Sequence, residues 1–188
     1  MTNAKHYLAV LLSCLMASTL FAQGNTFTKV RYNGGSVASK VDPKDWDNKL
    51  TVNSDVIVLE LKGPKKSWDK LEIPAKSVTA LSYGQEAHRR VGTMIALAVL
   101  VAPVALFGLF HKTRLHYISI QYTTPDGKSG GVLLQGDKSN YRAMLVALQG
   151  VANVPVSVSE KEREFVPVSV RSTVAKEPTE EKKTEEKK

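Results

Sequence analysis

Alternating apolar and polar positions predict β-strands in the chain before residue 84. The segment "FTKVRYNGGSV" runs into Asn33-Gly34-Gly35, where a positive φ is tolerated, so a first hairpin turn is predicted there. In "LTVNSDVIVLELKG" a turn at Asn53-Ser54-Asp55 separates two strands. The second of these strands has one apolar face, formed by Ile57, Leu59 and Leu61. "KLEIPAKSVTALSYG" predicts two more strands, which a proline separates.

The chain after residue 114 predicts a second hairpin and then one helix. "LHYISIQYTTPDGKSGGVLLQG" alternates on both sides of a turn at Pro125-Asp126-Gly127. In "DKSNYRAMLVALQGVAN" the apolar residues change to helical spacing, with Asp137 or Ser139 as N-cap and Gly150 as the C-terminal stop. Four residues of this helix are predicted to enter the core: Tyr141, Met144, Leu145 and Leu148. The fold class predicted is therefore mainly β with one C-terminal helix.

A hydrophobic segment interrupts this pattern between the predicted strands. The twenty residues from Val91 to Phe110 are uncharged and mostly apolar. As a straight helix they would extend about 30 Å, the thickness of the hydrocarbon core of a bilayer. The residues predicted to insert into a membrane are Val91, Ile95, Leu97, Leu100, Pro103, Leu106, Phe107 and Phe110. The basic residues predicted to lie at the interface on either side are Arg89, Arg90, Lys112 and Arg114.

Three arrangements of this segment remain open. It could cross the membrane once, dip in and return by a break at Ala102-Pro103, or be covered by this protein or a partner. Two strands and one helix after the segment are too few to bury a core alone. This favours both ends lying on the same side, and the equally basic flanks give no bias in orientation.

The amino terminus has the pattern of a secretory signal peptide. Lys5 precedes an apolar run from Tyr7 to Phe21, and Ala22 is a small residue suited to cleavage, so residues 1–22 are predicted to be removed. The alternatives to cleavage are that the segment remains as an uncleaved membrane anchor or that Cys14 is lipidated. Cys14 is the only cysteine, so the mature chain 23–188 forms no internal disulfide.

The body of the chain is basic. Residues 23–158 contain seventeen Lys or Arg and ten Asp or Glu, an excess that suits an anionic surface. An exported protein meets lipid headgroups and envelope polymers, and no nucleic-acid-binding signature occurs, so membrane lipid is the partner expected and nucleic acid is not. A membrane-protein partner and self-association are further possibilities.

The carboxyl-terminal segment 154–188 contains a short repeat followed by a charged tail. The sequence Val-Pro-Val-Ser-Val occurs at residues 154–158 and again at 166–170. Each copy is interpreted as an edge strand that pairs with a partner's sheet or another copy, or else as linker. The final "KEPTEEKKTEEKK" has no apolar face and is predicted to be disordered.

The order of these elements resembles the pleckstrin-homology-like family and its GRAM-type bacterial relatives. The resemblance covers residues 26–151 and rests on "KLTVNSDVIVLEL", "KLEIPAKSVTALSYG", "LHYISIQYTTPDGK" and "SNYRAMLVALQG". It implies a body, residues 23–153, in which an antiparallel sheet or barrel is closed at one end by the helix and interrupted by the hydrophobic segment. It also implies binding of membranes or peptides through basic loops. In "KGPKKSW" this points to Lys62, Lys65, Lys66 and Trp68.

Catalytic chemistry has little support in the sequence, so the protein is not expected to be an enzyme. Ser67 and Lys70 fit a Ser-x-x-Lys spacing, but their segment is predicted to be a loop and not the start of a buried helix. The histidines lack neighbours at metal-ligand spacing, and no metal or cofactor is expected. The function favoured is an exported, membrane-associated interaction scaffold of the cell envelope. The alternatives are an accessory subunit of a membrane complex and, less favoured, a small apolar-ligand-binding protein or hydrolase.

Overall fold

A computed structural model describes residues 24–36, 41–42, 44–85 and 115–175. In this part of the chain nine strands form one open mixed sheet, and one helix packs against it. The strands are β1 (Asn25–Gly35), β2 (Asn48–Val52), β3 (Val56–Lys62), β4 (Trp68–Pro74), β5 (Val78–Gly84), β6 (His116–Thr123), β7 (Ser129–Gly136), β8 (Val156–Val158) and β9 (Ser172–Val174), and the helix is α1 (Tyr141–Ala152). Their order across the sheet is β4-β3-β2-β1-β7-β6-β5-β8-β9.

The mainly β prediction is confirmed, but the sheet is neither closed nor purely antiparallel. Strands β4 and β9 are its two edges. The pairs β5–β8 and β8–β9 are parallel, whereas the other described pairs are antiparallel. The β5–β8 pair is parallel because the chain passes through α1 before β8, and such a crossover brings a strand back in the same direction. Residues 159–171, which include a 3₁₀ helix (Glu160–Phe165), form the crossover that makes β8 and β9 parallel.

Strand β1 joins the two halves of the sheet. Its first half pairs with β2 and its second half pairs with β7. The register shifts between Phe27 and Val30, where Lys29 has a φ of 56°. This β-bulge lets one strand serve both neighbours by changing its direction locally.

The hairpin turn predicted at Asn33-Gly34-Gly35 is wrong, because β1 continues through these residues. Gly35 has a φ of 151°, and a Cβ on it would lie 2.3 Å from the carbonyl oxygen of Gly131. The glycine therefore permits close approach between β1 and β7 and not a chain reversal.

The strands predicted from "LTVNSDVIVLELKG" and "KLEIPAKSVTALSYG" are confirmed as β2 to β5. Strand β3 alternates between buried and half-buried positions along its length. Its fully buried side chains are Ile57, Leu59 and Leu61. A short 3₁₀ turn, Ala75–Ser77, separates β4 from β5 just after Pro74.

The second hairpin and the helix are also confirmed. Gly127 has a φ of 78° in the turn between β6 and β7, and the amide of Thr124 donates to the carbonyl of Lys128. The four residues of α1 predicted to be buried are all in the core: Tyr141, Met144, Leu145 and Leu148. They belong to one cluster with the inner faces of the strands, which supplies the main stabilisation of the fold.

The predicted ends of the helix are displaced. Asn140 is the N-cap residue and makes no side-chain capping bond, while the Asp137 carbonyl accepts the Asn140 and Tyr141 amides. The helix passes Gly150 and ends where Asn153 adopts the left-handed conformation, with a φ of 56°. Asparagine tolerates this conformation better than most residues, so it replaces the glycine expected at this end.

Strands β5 and β6 pair directly although the hydrophobic segment separates them in the sequence. Gly84 is opposite Tyr117, and the pairing continues to Val78 opposite Tyr122. The signal peptide, the membrane-insertion and interfacial residues predicted between 86 and 114, and the charged tail from 176 lie outside the described residues.

The two Val-Pro repeats have different structures. Val156–Val158 of the first copy is β8, which adds to the edge of β5 in this chain's own sheet. In the second copy the amide of Val170 donates to the carbonyl of Pro167, which closes a turn before β9. The prediction that the first copy forms a strand is thus confirmed, but its neighbours are β5 and β9 of its own chain and not a partner's sheet.

Candidate functional site

An open groove of about 830 Å³ lies beside the loops that join β1 to β2 and β3 to β4. Its lining residues are Thr28, Lys29, Trp46, Asp47, Lys49, Lys62, Lys66, Trp68 and Asp137. We call it the tryptophan groove. Lys49 and Lys62 alternate with the buried Leu50 and Leu61, so their side chains are on the face of the sheet opposite the core.

Lys62 forms an ion-paired cluster at the end of β3. Its ammonium contacts the Asp47 carboxylate and lies 3.4 Å from Oδ2 of Asp45. The hydrogen bond to Asp47 raises the pKa of Lys62. Because this cluster is exposed to solvent, it orients the groove wall and adds little to stability.

Each of the two tryptophans has a cation near its ring. The Arg31 guanidinium lies 4.1 Å from the ring centroid of Trp46, and the Lys49 ammonium lies 5.6 Å from that of Trp68. Arg31 is itself held by a bond of 3.2 Å from Nε to the Lys44 carbonyl, and burial lowers its pKa. These contacts fix Trp46 as a wall of the groove, whereas Trp68 remains 50% exposed.

The loop between β3 and β4 is closed by its own hydrogen bonds. The amide of Gly63 donates to the Ser67 carbonyl over 2.9 Å, and the Ser67 hydroxyl donates to the Pro64 carbonyl over 2.9 Å. Lys65 and Lys66 both have left-handed backbone, with φ of 56° and 62°. This compact turn places Lys66 in the groove lining and leaves Lys65 outside it.

The opposite wall is formed by the bulge of β1 and the loop that precedes the helix. Asp137 accepts from the amide and the hydroxyl of Ser139 at 2.9 and 2.5 Å, and the hydroxyl bond is the main cause of its lowered pKa. The side-chain Nδ2 of Asn140 donates to the Thr28 carbonyl over 2.6 Å, which connects the loop before the helix to β1 near Lys29. Asp137 is therefore an ionised carboxylate at neutral pH.

Asn48 holds together the segments that carry these walls. It is fully buried at the start of β2. Its Nδ2 donates to the carbonyls of Val30 and Asp45 at 3.0 and 3.1 Å, and its Oδ1 accepts the amide of Lys62 at 2.9 Å. One side chain thus connects β1, β3 and the loop that carries Trp46.

Three of the four loop residues predicted from the sequence line the groove: Lys62, Lys66 and Trp68. Lys65 does not. Four other lining residues have no motif around them and were not predicted: Lys29, Asp47, Lys49 and Asp137. Trp46 lies in the polar segment "DPKDWDNK", where no local pattern indicates a site.

A second polar cluster is buried where the hydrophobic segment joins the sheet. Tyr83 Oη and His116 Nδ1 are hydrogen bonded at 2.9 Å, and the His116 ring stacks on Tyr141 with centroids 3.7 Å apart. Tyr141 in turn donates its hydroxyl to the carbonyl of Phe165 over 3.1 Å. Burial, followed by the charges of Arg142 and Lys138, lowers the pKa of His116, which keeps the ring neutral.

Among the residues described, no group of three or more His, Cys, Asp or Glu is arranged to hold a metal ion. No helix in this part of the chain combines the length and apolar character needed to cross a membrane. Comparison with known proteins finds no family model and no curated protein that matches the chain.

Proposed function

We propose that this protein is an exported, membrane-associated and non-enzymatic scaffold of the cell envelope. Its pleckstrin-homology-like body binds an anionic component of the envelope in the tryptophan groove. Residues 91–110 serve as the membrane anchor.

The observation that carries the proposal is the pairing of β5 with β6. Strand β5 ends at Gly84 and β6 begins at His116, and Gly84 is paired with Tyr117. Strand β1 also pairs with β7, so elements before and after the hydrophobic segment share one core. This supports an anchor whose two ends lie on the same side, and it counts against a single span that would separate the halves.

The pleckstrin-homology-like part of the proposal has two supports. A single carboxyl-terminal helix packs on a sheet of mostly antiparallel strands, as the resemblance implies. The loop that the resemblance singles out also supplies Lys66 and Trp68 to the groove, beside Lys62 at the end of β3.

The chemistry of the groove supports binding and not catalysis. Its carboxylates have structural partners, since Asp47 contacts the ammonium of Lys62 and Oδ1 of Asp137 accepts from Ser139. Ser67, the serine of the Ser-x-x-Lys spacing, donates its hydroxyl to a backbone carbonyl. Lysines that line the groove together with two indole rings instead favour the retention of anions with an apolar face.

Labelling of single cysteines in intact cells tests the proposal. In a Cys14→Ser background, Ser54→Cys and Ser129→Cys place thiols at exposed positions on either side of the hydrophobic segment. We expect both to react with a membrane-impermeant maleimide, and the protein to remain with the membrane fraction. If Ser129→Cys reacts only after lysis, the halves lie on opposite sides and the proposal is wrong.

A further inference from the structure

We propose that the ligand of the tryptophan groove is an acidic polysaccharide, a chain of sugar rings that carry carboxylate groups. This inference rests on the proposed function, because the position of the protein in the envelope is what brings it to such polymers. It adds the chemical class of the ligand.

The size of the groove favours a ligand larger than a single anion. A volume of about 830 Å³ is near the upper end of the range, about 300 to 1,000 Å³, that is typical of sites for small organic molecules. Inorganic phosphate or an isolated carboxylate would contact only one part of it. The groove is open at its surface, so a polymer passing through it need not present a free end.

The charges favour a ligand that has both acidic groups and hydroxyls. Four lysines and two aspartates line the groove, which leaves a net positive charge. Asp47 already contacts Lys62, so Lys49 and Lys66 are the cations best placed to receive a carboxylate. The ionised Asp137 would repel a dense anion such as a phosphate dianion, but it is a good acceptor for a sugar hydroxyl.

The indoles favour a ring as the neutral part of the ligand. The C–H face of a sugar ring carries a slight positive charge and stacks on the negative face of an indole. Trp68 is 50% exposed, and Trp46 is held in place by Arg31 stacked at 4.1 Å. One aromatic wall is therefore rigid and the other is free to adjust.

The type of cation also agrees with carboxylates. No arginine occurs among the described lining residues, and the four cations are lysines. Arginine forms the paired bonds that planar phosphate recognition uses, whereas a lysine ammonium acts as a single point charge. Lysines at separate positions in the groove are therefore suited to a polymer that has one carboxylate on each sugar ring.

Calorimetric titration of the full chain in mild detergent tests this inference. The probes are a hexasaccharide of uronic acid and the same hexasaccharide with every carboxylate methyl-esterified, which keeps the rings and removes the charge. Phosphatidylglycerol vesicles and inorganic phosphate are the competing anions. The variants are Trp68→Ala, Lys66→Glu and, as matched control, Lys76→Glu at an exposed turn outside the groove.

We expect the acidic hexasaccharide to bind and its ester to bind about tenfold more weakly or worse, because the ester lacks the charge that the lysines recognise. Trp68→Ala and Lys66→Glu should each weaken binding about tenfold, while Lys76→Glu should leave it unchanged. Raising the salt concentration should weaken binding to the acid.

Three results would overturn the inference. The first is equal affinity for the acidic hexasaccharide and its ester. The second is that Trp68→Ala and Lys66→Glu both bind the acidic hexasaccharide as tightly as the wild type does. The third is binding of the vesicles through Trp68 and Lys66 without binding of the hexasaccharide, which would make the ligand a lipid headgroup. None of these affects the cysteine labelling, so the membrane arrangement in the proposed function is tested independently of the ligand.

Discussion

Asn48 shows how one side chain can determine the geometry of a site. It lies at 0% exposure, and its three hydrogen bonds join Val30, Asp45 and Lys62. A buried polar group is tolerated only when it has such partners. The same bonds connect the two aromatic walls of the groove, because Trp46 follows Asp45 in the sequence and Trp68 is the cross-strand partner of Lys62.

We expect Asn48→Ala to lower the free energy of unfolding by about 2 to 3 kcal/mol, because the Lys62 amide and two carbonyls lose their partner. Urea denaturation followed by tryptophan fluorescence measures this change. Thr79→Ala, an exposed position on β5, is the control and should stay within about 0.5 kcal/mol of wild type. Equal stability of the two variants would contradict the role given to Asn48.

The buried His116 makes stability depend on pH. Burial is the largest cause of its lowered pKa, so the unfolded chain, with an ordinary histidine pKa of about 6.5, binds a proton more readily than the native protein. The groups that face the ring are Tyr83 and Tyr141, with the charges of Lys138, Arg142 and Asp137 nearby.

We therefore expect the free energy of unfolding to be highest at pH values above the pKa that His116 has in the unfolded chain. It should fall as the pH decreases below that value, until the pKa of His116 in the native protein is passed. His116→Gln removes the titrating group and should flatten this part of the profile. Urea midpoints between pH 5 and pH 8 for both proteins provide the measurement. Parallel profiles would show that another group is responsible.

The lysines of "KGPKKSW" could be predicted as site residues because they cluster within one loop. Lys29, Trp46 and Asp137 could not, because they come from three distant segments that only the folded sheet brings together. Their contribution depends on the bulge in β1 and on the bonds of Asn48 and Asn140, which no local pattern indicates.

At the scale of elements, the two copies of Val-Pro-Val-Ser-Val show what local sequence can determine. Alternation predicted β2 to β7, and helical spacing predicted α1. The copies are identical, yet one contributes β8 and the other a turn. Only the first lies beside the open edge of β5, so pairing between distant parts of the chain, and not propensity, decides the outcome.

Truncation after Asn153 tests the contribution of this segment. The change removes β8, whose Val156 and Val158 are fully buried, together with β9. It also removes the Phe165 carbonyl, which accepts the hydroxyl of Tyr141. We expect the free energy of unfolding to fall by about 3 kcal/mol or more, since burial of each valine contributes about 1.5 kcal/mol or more. Thermal unfolding by circular dichroism measures the loss.

Truncation after Ala175 is the matched control. It keeps every residue of β8 and β9, so its unfolding transition should coincide with that of the full chain. If both truncations unfold alike, the last two strands add no stability.

For the whole molecule, the main result is that one sheet includes strands from both sides of the hydrophobic segment. The sequence suggested this, because two strands and a helix are too few for a separate core. It could not give the strand order, which depends on β1 pairing with β7 across more than half the chain. Non-local pairing of this kind has no local signal.

We expect the body to fold without the hydrophobic segment. Replacing residues 87–113 by a short Gly-Ser linker leaves the β5–β6 pairs intact, so the variant should unfold cooperatively and remain soluble without detergent. Amide exchange on β5 and β6 should be as slow as in the full chain. Fast exchange in these strands would show that the segment is required for their pairing.

The lysines with left-handed backbone imply a conflict between two selective pressures. Lys29, Lys65 and Lys66 occupy conformations that glycine adopts without strain, and two of the three line the groove. Selection of a random library for heat resistance alone should therefore enrich glycine at all three positions, because each replacement relieves roughly 1 kcal/mol of strain. The survivors would have lost the charges at positions 29 and 66. Selection of the same library for binding in the groove should instead retain lysine at positions 29 and 66.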